Sequence, residues 1–354
     1  MKITDIKAAA KGGVKKWQMV ASGAVALGVL AVPVMAAASA VSVNFESYTP
    51  GVINGQDGWT STGAAGAGCA VYDHAVVDNT GAIYHYNGFG KKSLRISDAV
   101  TSGCFGDQTF AKPLTDSVGE TASSNGTFSP GTKQRRFTMQ FDFASTTPKA
   151  QQAGLHVSVS PDRGDGSRMS YLRFEDGANG IDVFFDDVQG IGNPANFVES
   201  QIATGLNRKK SHTVKLTLDT IDGPSNDVVK VWIDGNQVHE GTSWENYYLY
   251  DTESATEQLT RIVKTVLFRS SGTAVPADQG KGFLFDNLST SSGPIPVKPP
   301  KTKKDCKGDA WMQYNDPSYK SEKTCEKWVE NHKDFHNDPH EKCWTFHRRD
   351  RHDW

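Results

Sequence analysis

The chain has 354 residues, a formal net charge of −2, 34 glycines and 10% aromatic residues. That length holds one large β domain plus a small module, or two ordinary domains, and the composition excludes collagen-like and disordered classes. The near-neutral balance argues against nucleic acid as a partner, because phosphate binding needs a basic surface.

In chain order, residues 1–40 read as a signal peptide. Lys2, Lys7, Lys11, Lys15 and Lys16 lead into an apolar run from Met19 to Met35, and Ala38-Ser39-Ala40 is an A-x-A cleavage pattern. The mature chain is expected to start near Val41. It would be secreted or held at the cell surface, meeting the membrane only through this transient segment. The alternative is an uncleaved anchor, since the apolar run is nearly long enough to span; Pro33 and the small-residue end favour cleavage.

From Val41 a short strand ends near Tyr48, Pro50-Gly51 turns it, and Gly58-Trp59 closes a loop. A Gly/Ala-rich stretch surrounds Cys69, Ala70 to Val77 follows, and KKSLRISDAV reads as another strand. Residues 117–132, rich in Ser, Thr and Gly, read as a loop. The densest strand series follows. Phe137, Met139, Phe141 and Phe143 share one face, with Thr138, Gln140 and Asp142 opposite; Leu155, Val157 and Val159 alternate with His156 and Ser158. SRMSYLRFEDG and GIDVFFDDVQG supply two more strands. In the meander His212–Tyr250, Val214, Leu216 and Leu218 alternate with Lys215 and Thr217, and Val229, Val231 and Ile233 with Lys230 and Trp232. IVKTVLFRS and GFLFDNLS close the series. Helical periodicity is almost absent from 41 to 290, so the expected fold is all-β, an antiparallel β-sandwich.

Residues 291–304 are a stiff Pro/Lys linker, and 305–354 form a small Cys/His-containing module. Its one helix begins at the N-cap Ser321 and puts Cys325, Trp328, Val329 and His332 on one side. A module this small needs a disulfide. The five cysteines of an exported chain are disulfide partners sooner than metal ligands. Cys69 with Cys104 and Cys306 with Cys325 is the economical pairing, leaving Cys343 over; Cys325 with Cys343 is the alternative.

NFESYTPGVINGQDGW, KKSLRISD, VKVWIDGNQVHEGTSWENYY, LFRSSGTA and GFLFDNLS, in that order over residues 43–289, resemble the concanavalin A-like lectin/glucanase (LamG-like jelly-roll) proteins of bacterial surfaces. The resemblance implies a jelly-roll of two curved antiparallel sheets and a carbohydrate-binding or adhesion role, with glycosidases and lyases among the members. The tail from Cys306 to Val329 is similar to a two-cysteine module of bacterial surface proteins. It departs from that pattern at Asp309-Ala310 and at Glu322-Lys323-Thr324.

The glucanase signature Glu-x-Asp-x-x-Glu is absent, as are the alginate-lyase run Arg-x-Glu-Leu-Arg, a Gly-x-Ser-x-Gly elbow and His-Glu-x-x-His. Asp182, Asp186 and Asp187 come nearest, and they read as solvated strand positions. Glycosidase chemistry would need two of Asp142, Glu175, Asp182 and Asp186 to face one sugar. For ligand binding the candidates are Trp232, Gln140, Asp142, His156, Arg173 and Glu175, expected on one concave sheet face. Planar hydrogen-bonding groups and an indole there would suit a polysaccharide or cell-surface glycan. Trp244, Tyr247 and Tyr248 either cap one end of the sheet or form core under a loop, and core is the favoured reading.

Glu46 and Asp286 would be neighbours if the first and last strands pair. The resemblance to calcium-holding jelly-roll modules implies structural Ca²⁺ there, and the alternative is a hydrogen-bonded seam. No organic cofactor is expected. Arg163-Gly164-Asp165 looks like an integrin triplet but reads as a plain turn. His332 and His336 stand four apart and could clamp a metal; a polar helix face is the competing reading. The expected function is non-catalytic carbohydrate binding or surface adhesion. The alternatives are a polysaccharide hydrolase or lyase, and a structural surface protein with no sugar ligand.

Overall fold

The alternation read along the chain becomes the interior of two stacked sheets in the computed structural model, which describes residues 39–61, 71–80, 85–254, 260–270, 272–314 and 317–332. The leader up to 38, Cys69, Cys343, His336 and the remaining tail histidines lie outside the described residues. Cys104 is disulfide-bonded.

The strands in chain order are β1 (Ala40–Val43), β2 (Gly51–Val52), β3 (Thr60–Ser61), β4 (Asp73–Asp78), β5 (Lys92–Ser97), β6 (Gln108–Phe110), β7 (Ser117–Gly119), β8 (Lys133–Gln134), β9 (Arg136–Ser145) and β10 (His156–Asp162). They continue as β11 (Tyr171–Gly177), β12 (Gly180–Val188), β13 (Phe197–Leu206), β14 (His212–Asp219), β15 (Val228–Ile233), β16 (Asn236–Gly241), β17 (Ile262–Val263), β18 (Thr265–Ser270) and β19 (Phe283–Gly293). Among the described residues, a nine-stranded sheet runs β16-β15-β14-β9-β19-β5-β4-β2 with β1 on β19, and a seven-stranded sheet runs β13-β12-β11-β10-β18-β6-β3. Both are antiparallel, with sequence-distant strands as neighbours, as in a jelly-roll sandwich. First and last strands do pair: Ala40 faces Ser291 and Val43 faces Leu288.

Every core position read from the period-2 pattern in β9, β10, β14 and β15 is at most 4% exposed. Phe174 of β11 shows how the two sheets lock. Its ring meets Phe141 and Phe143 of β9 and Phe283 and Phe285 of β19 at centroid distances of 4.7–6.3 Å. Such tilted and edge-on contacts each add about 0.5–1.5 kcal/mol beyond area burial.

Three stretches differ from the sequence reading. Within residues 117–132, β7 pairs with β8 in parallel and with β17, because Ser117, Val118 and Gly119 are buried. β13 and β16 are half-exposed edge strands without a clean alternation, so periodicity had nothing to find. Glu245–Tyr250 is a short helix, α1, that ends the meander.

In the tail, α2 (Glu322–Asn331) starts as expected: Ser321 caps it by accepting a hydrogen bond from the Thr324 N–H. Cys306 and Cys325 form the disulfide, and with Tyr314 and Val329 they make a separate small core. His332 stacks on Trp328 at 4.1 Å, and its Nδ1–H donates to the Trp328 carbonyl at 2.7 Å. No helix among the described residues is long and apolar enough to cross a membrane.

Candidate functional site

The six ligand-binding candidates do not share a face. Gln140, Asp142 and Trp232 stand on the outer side of the nine-stranded sheet, and His156, Arg173 and Glu175 on the outer side of the seven-stranded sheet. The single concave surface expected from the sequence is therefore corrected. Alternation assigns a residue to the outside of its sheet, but not to one sheet or the other.

On the nine-stranded sheet, Gln140, Lys215 and Trp232 form one cross-strand row, with the Lys215 ammonium 5.1 Å from the Trp232 ring. Asp142 is spent on Thr213 Oγ1 (2.6 Å) and Asn287 Nδ2 (2.7 Å). On the seven-stranded sheet, His156 and Glu175 are register partners 3.6 Å apart, and Arg173 donates to Glu175 (2.9 Å) and Glu199 (2.7 and 2.8 Å).

Glu46 and Asp286 do lie in one neighbourhood. Asp286 is fully buried, and its two oxygens accept from Gly90 N–H and Asn287 N–H, both at 2.8 Å. Glu46 Oε1 accepts from Lys92 N–H at 3.0 Å. Burial first, then the Glu46 and Asp142 charges, push Asp286 up to about 6. A donor set already taken by N–H groups fits a hydrogen-bonded seam better than a calcium cage. A tighter carboxylate cluster, Glu120, Asp227 and Glu245, is buried elsewhere, with the Arg261 guanidinium 3.1 Å from Glu120.

The outer face of the seven-stranded sheet carries a groove of about 590 Å³. Its floor is a cross-strand row, Arg269 of β18, Ser158 of β10 and Arg173 of β11, with Tyr171 one position along. The segment after β10 makes one wall through Gly166, Ser167 and Arg168. Asp162 builds that wall: its Oδ1 accepts from the N–H groups of Gly164, Asp165 and Gly166. Gly164 (φ +110°) and Gly166 (φ +98°) supply backbone angles that side chains disfavour. The same turn folds Arg163 onto its own Asp165, and Arg163 is only 5% exposed. The triplet is thus a turn and is not presented to a partner.

The opposite wall is aromatic. Trp244 precedes α1; its backbone N–H donates to the Met169 carbonyl (2.7 Å), and its indole N–H to Asp186 (3.1 Å). It meets Tyr171, Phe197 and Tyr247 edge-on at 4.9–6.1 Å. Trp244 and Tyr247 are half-buried and line the groove, whereas Tyr248 is core-like and hydrogen-bonds the Arg168 carbonyl (2.8 Å). Burial, with the Asp186 and Glu199 charges, pushes Tyr171 up to about 12. Burial likewise pushes Asp186 up to about 6, against hydrogen bonds from Tyr171 and Trp244.

Three guanidiniums reach the groove. Arg173 is neutralised by its two glutamates and lies over Phe184 at 4.0 Å. Arg269 donates to Asp107 (3.0 Å) and covers Phe105 at 4.6 Å. Arg168 is different. It is 8% exposed, faces the Tyr171 and Trp244 rings at 5.6 and 5.9 Å, and its guanidinium makes no hydrogen bond or ion pair with the described residues. Burial, then the like charge of Arg269, lower its pKa.

Of the expected binding residues, only Arg173 lines this groove. Arg168, Tyr171, Trp244 and Arg269 escaped the sequence reading as site residues. Two arginines and a tyrosine within SRMSYLR, followed by an aromatic-rich segment, were the available signal.

No family model matches the chain, and no curated protein does. Among solved structures, an alginate lyase, Aly36B, determined as a mutant with an alginate tetrasaccharide, is 13% identical; 71% of this chain and 96% of that one are covered, with a TM-score of 0.39. An endo-β-1,4-glucuronan lyase of the fungus Trichoderma reesei is 13% identical, covering 71% and 94%, at 0.36. Lectin I-B4 of Griffonia simplicifolia is 12% identical, covering 72% and 98%, at 0.35. At these scores none of them assigns an activity to this chain.

Proposed function

We propose that the protein is an exported carbohydrate-binding protein that holds a polysaccharide or cell-surface glycan in the groove on its seven-stranded sheet. The observation that carries this reading is the groove's make-up. A sugar offers a C–H face and a rim of hydroxyls, and here Tyr171, Trp244 and Tyr247 stand beside Ser158, Ser167 and Arg173. Aromatic faces with a few polar groups are what such a site needs. The signal-peptide pattern before Val41 supports export.

Non-catalytic binding is favoured because the acids weighed for hydrolysis are separated or committed. Asp142 is on the other sheet, Glu175 is tied to Arg173, and Asp182 accepts from Gly205 N–H at 2.8 Å. One observation favours polysaccharide cleavage as a second reading: the Asp186 carboxyl, pushed up to about 6, touches Tyr171 and Trp244 behind the groove wall. In that reading the Asp186 carboxyl is the group that would exchange a proton near neutral pH.

A glycan array and polysaccharide pull-down with the mature protein tests the proposal, alongside Trp244→Ala and Trp232→Ala. Trp244→Ala is expected to weaken capture roughly tenfold, the equivalent of one aromatic contact, and Trp232→Ala to leave it unchanged. Capture that survives the first and fails with the second would move the site to the other sheet. Shortening of the captured polysaccharide, abolished by Asp186→Asn, would favour the cleavage reading.

A further inference from the structure

We propose that the groove's ligand is acidic, and that Arg168 holds an anionic substituent, a uronate carboxylate or a sulfate ester, on a sugar ring lying against Trp244 and Tyr171. The inference rests on the groove being a glycan site and adds the chemical class of the glycan.

The argument is one of charge balance. Taking a guanidinium out of water without a partner is among the costlier things a fold can do. Arg173 and Arg269 avoid that cost through Glu175, Glu199 and Asp107. Arg168 is 8% exposed, its guanidinium meets solvent only along the groove, and no carboxylate or carbonyl among the described residues hydrogen-bonds it. The acid that shares its neighbourhood, Asp162, turns Oδ1 to three backbone N–H groups of its own turn, and acts on Arg168 through its charge without forming an ion pair.

The rings of Tyr171 and Trp244 near Arg168 soften the burial without neutralising the charge. Ring faces engage the flat side of a guanidinium and leave its N–H edges for a second partner. Those edges form a fork matched to the paired oxygens of a carboxylate or sulfate. Arg269 is close enough to act on Arg168 as a like charge, but it is paired with Asp107, so Arg168 is the groove's arginine that lacks a carboxylate partner. Among its lining residues the one acid is Glu253, which is exposed. An arginine needed only for the fold would be expected to carry a partner, as Arg173 and Arg269 do.

The test titrates the mature protein with a panel of oligouronates, their carboxyl-reduced neutral counterparts and sulfated oligosaccharides, using calorimetry at fixed salt. Binding is expected to oligouronates or to sulfated chains, and whichever binds identifies the anion. Arg168→Met should weaken it about 10- to 100-fold, the worth of a hydrogen-bonded charge pair, and Arg168→Lys should fall between. The melting temperature of free Arg168→Met should be no lower than that of the parent, which separates loss of binding from loss of fold. Equal affinity for carboxyl-reduced and acidic chains would overturn the acidic ligand and leave the glycan site standing. Unchanged acidic binding by Arg168→Met would overturn the role of Arg168. No binding to any member of the panel would overturn both readings.

Discussion

Phe174→Ala is expected to destabilise the sandwich by about 3–5 kcal/mol, the range for emptying a fully buried phenylalanine site. Phe174 is 0% exposed and touches four phenylalanines of the opposite sheet. The cavity would open directly beneath the floor of the groove, because Arg173 and Glu175 flank Phe174 on the outer face of the same strand. Rigid neighbours in β9 and β19 leave little room to collapse into the space. Glycan binding should weaken with stability, whereas Phe174→Leu, which keeps most of the volume, should lose far less of either. Chemical denaturation measures the stability loss of each variant, and titration with the glycan its binding. A cost below about 1 kcal/mol for Phe174→Ala would mean that the two sheets are not locked by this ring.

The second large effect concerns pH. Several buried carboxyls are pushed above their ordinary range by burial: Asp98 to about 7, where it lies against Asp278, and Asp162, Asp186 and Asp286 each to about 6. Asp227, packed against Glu245, is raised too. A carboxyl whose value is raised on folding holds its proton more tightly in the folded protein. Its stabilising contribution is complete below the unfolded value near 4 and is lost as pH climbs through 6 and 7. Asp73 runs the other way. Burial raises it, but hydrogen bonds from Arg95, Ser97 and Gly280 N–H outweigh that and hold it at about 2, so its contribution fades only as pH falls below about 4. The melting temperature should therefore be highest near pH 4 and fall by roughly 10 °C by pH 8. Asp98→Asn, which mimics the protonated carboxyl, should flatten much of that fall. A melting temperature that rises from pH 5 to pH 8 would contradict the account.

Legibility in the sequence followed the physics of each feature. The sandwich was readable because a half-buried strand alternates, as β15 does throughout and β9 and β14 do over their first half, and because the apolar residues of β10 alternate in the sequence. The helix cap at Ser321 was readable because capping is a local rule of chemistry, whereas the Cys306–Cys325 bridge was the economical one of two pairings that spacing left open. Edge strands β13 and β16 were not readable, since neither face of either strand is buried and no apolar set marks one side. The site was hardest. Trp232 stood out as an indole on a polar face, yet alternation cannot tell which sheet a face belongs to, and Trp232 lies across the sandwich from the groove. Trp244 read as core because it sits among other aromatics, and it is half core and half wall. Arg168 lies outside any regular strand, and what marks it is the missing partner, which only three dimensions reveal.

Assigned indole N–H resonances followed while an acidic oligosaccharide is added to the mature protein test the account most directly. Trp244 and Trp232 report opposite faces of the same sandwich. The account requires a saturable shift at Trp244, displaced to much higher ligand concentration by Arg168→Met, with Trp232 silent. A shift at Trp232 with Trp244 unmoved would place the binding surface on the wrong side and contradict it.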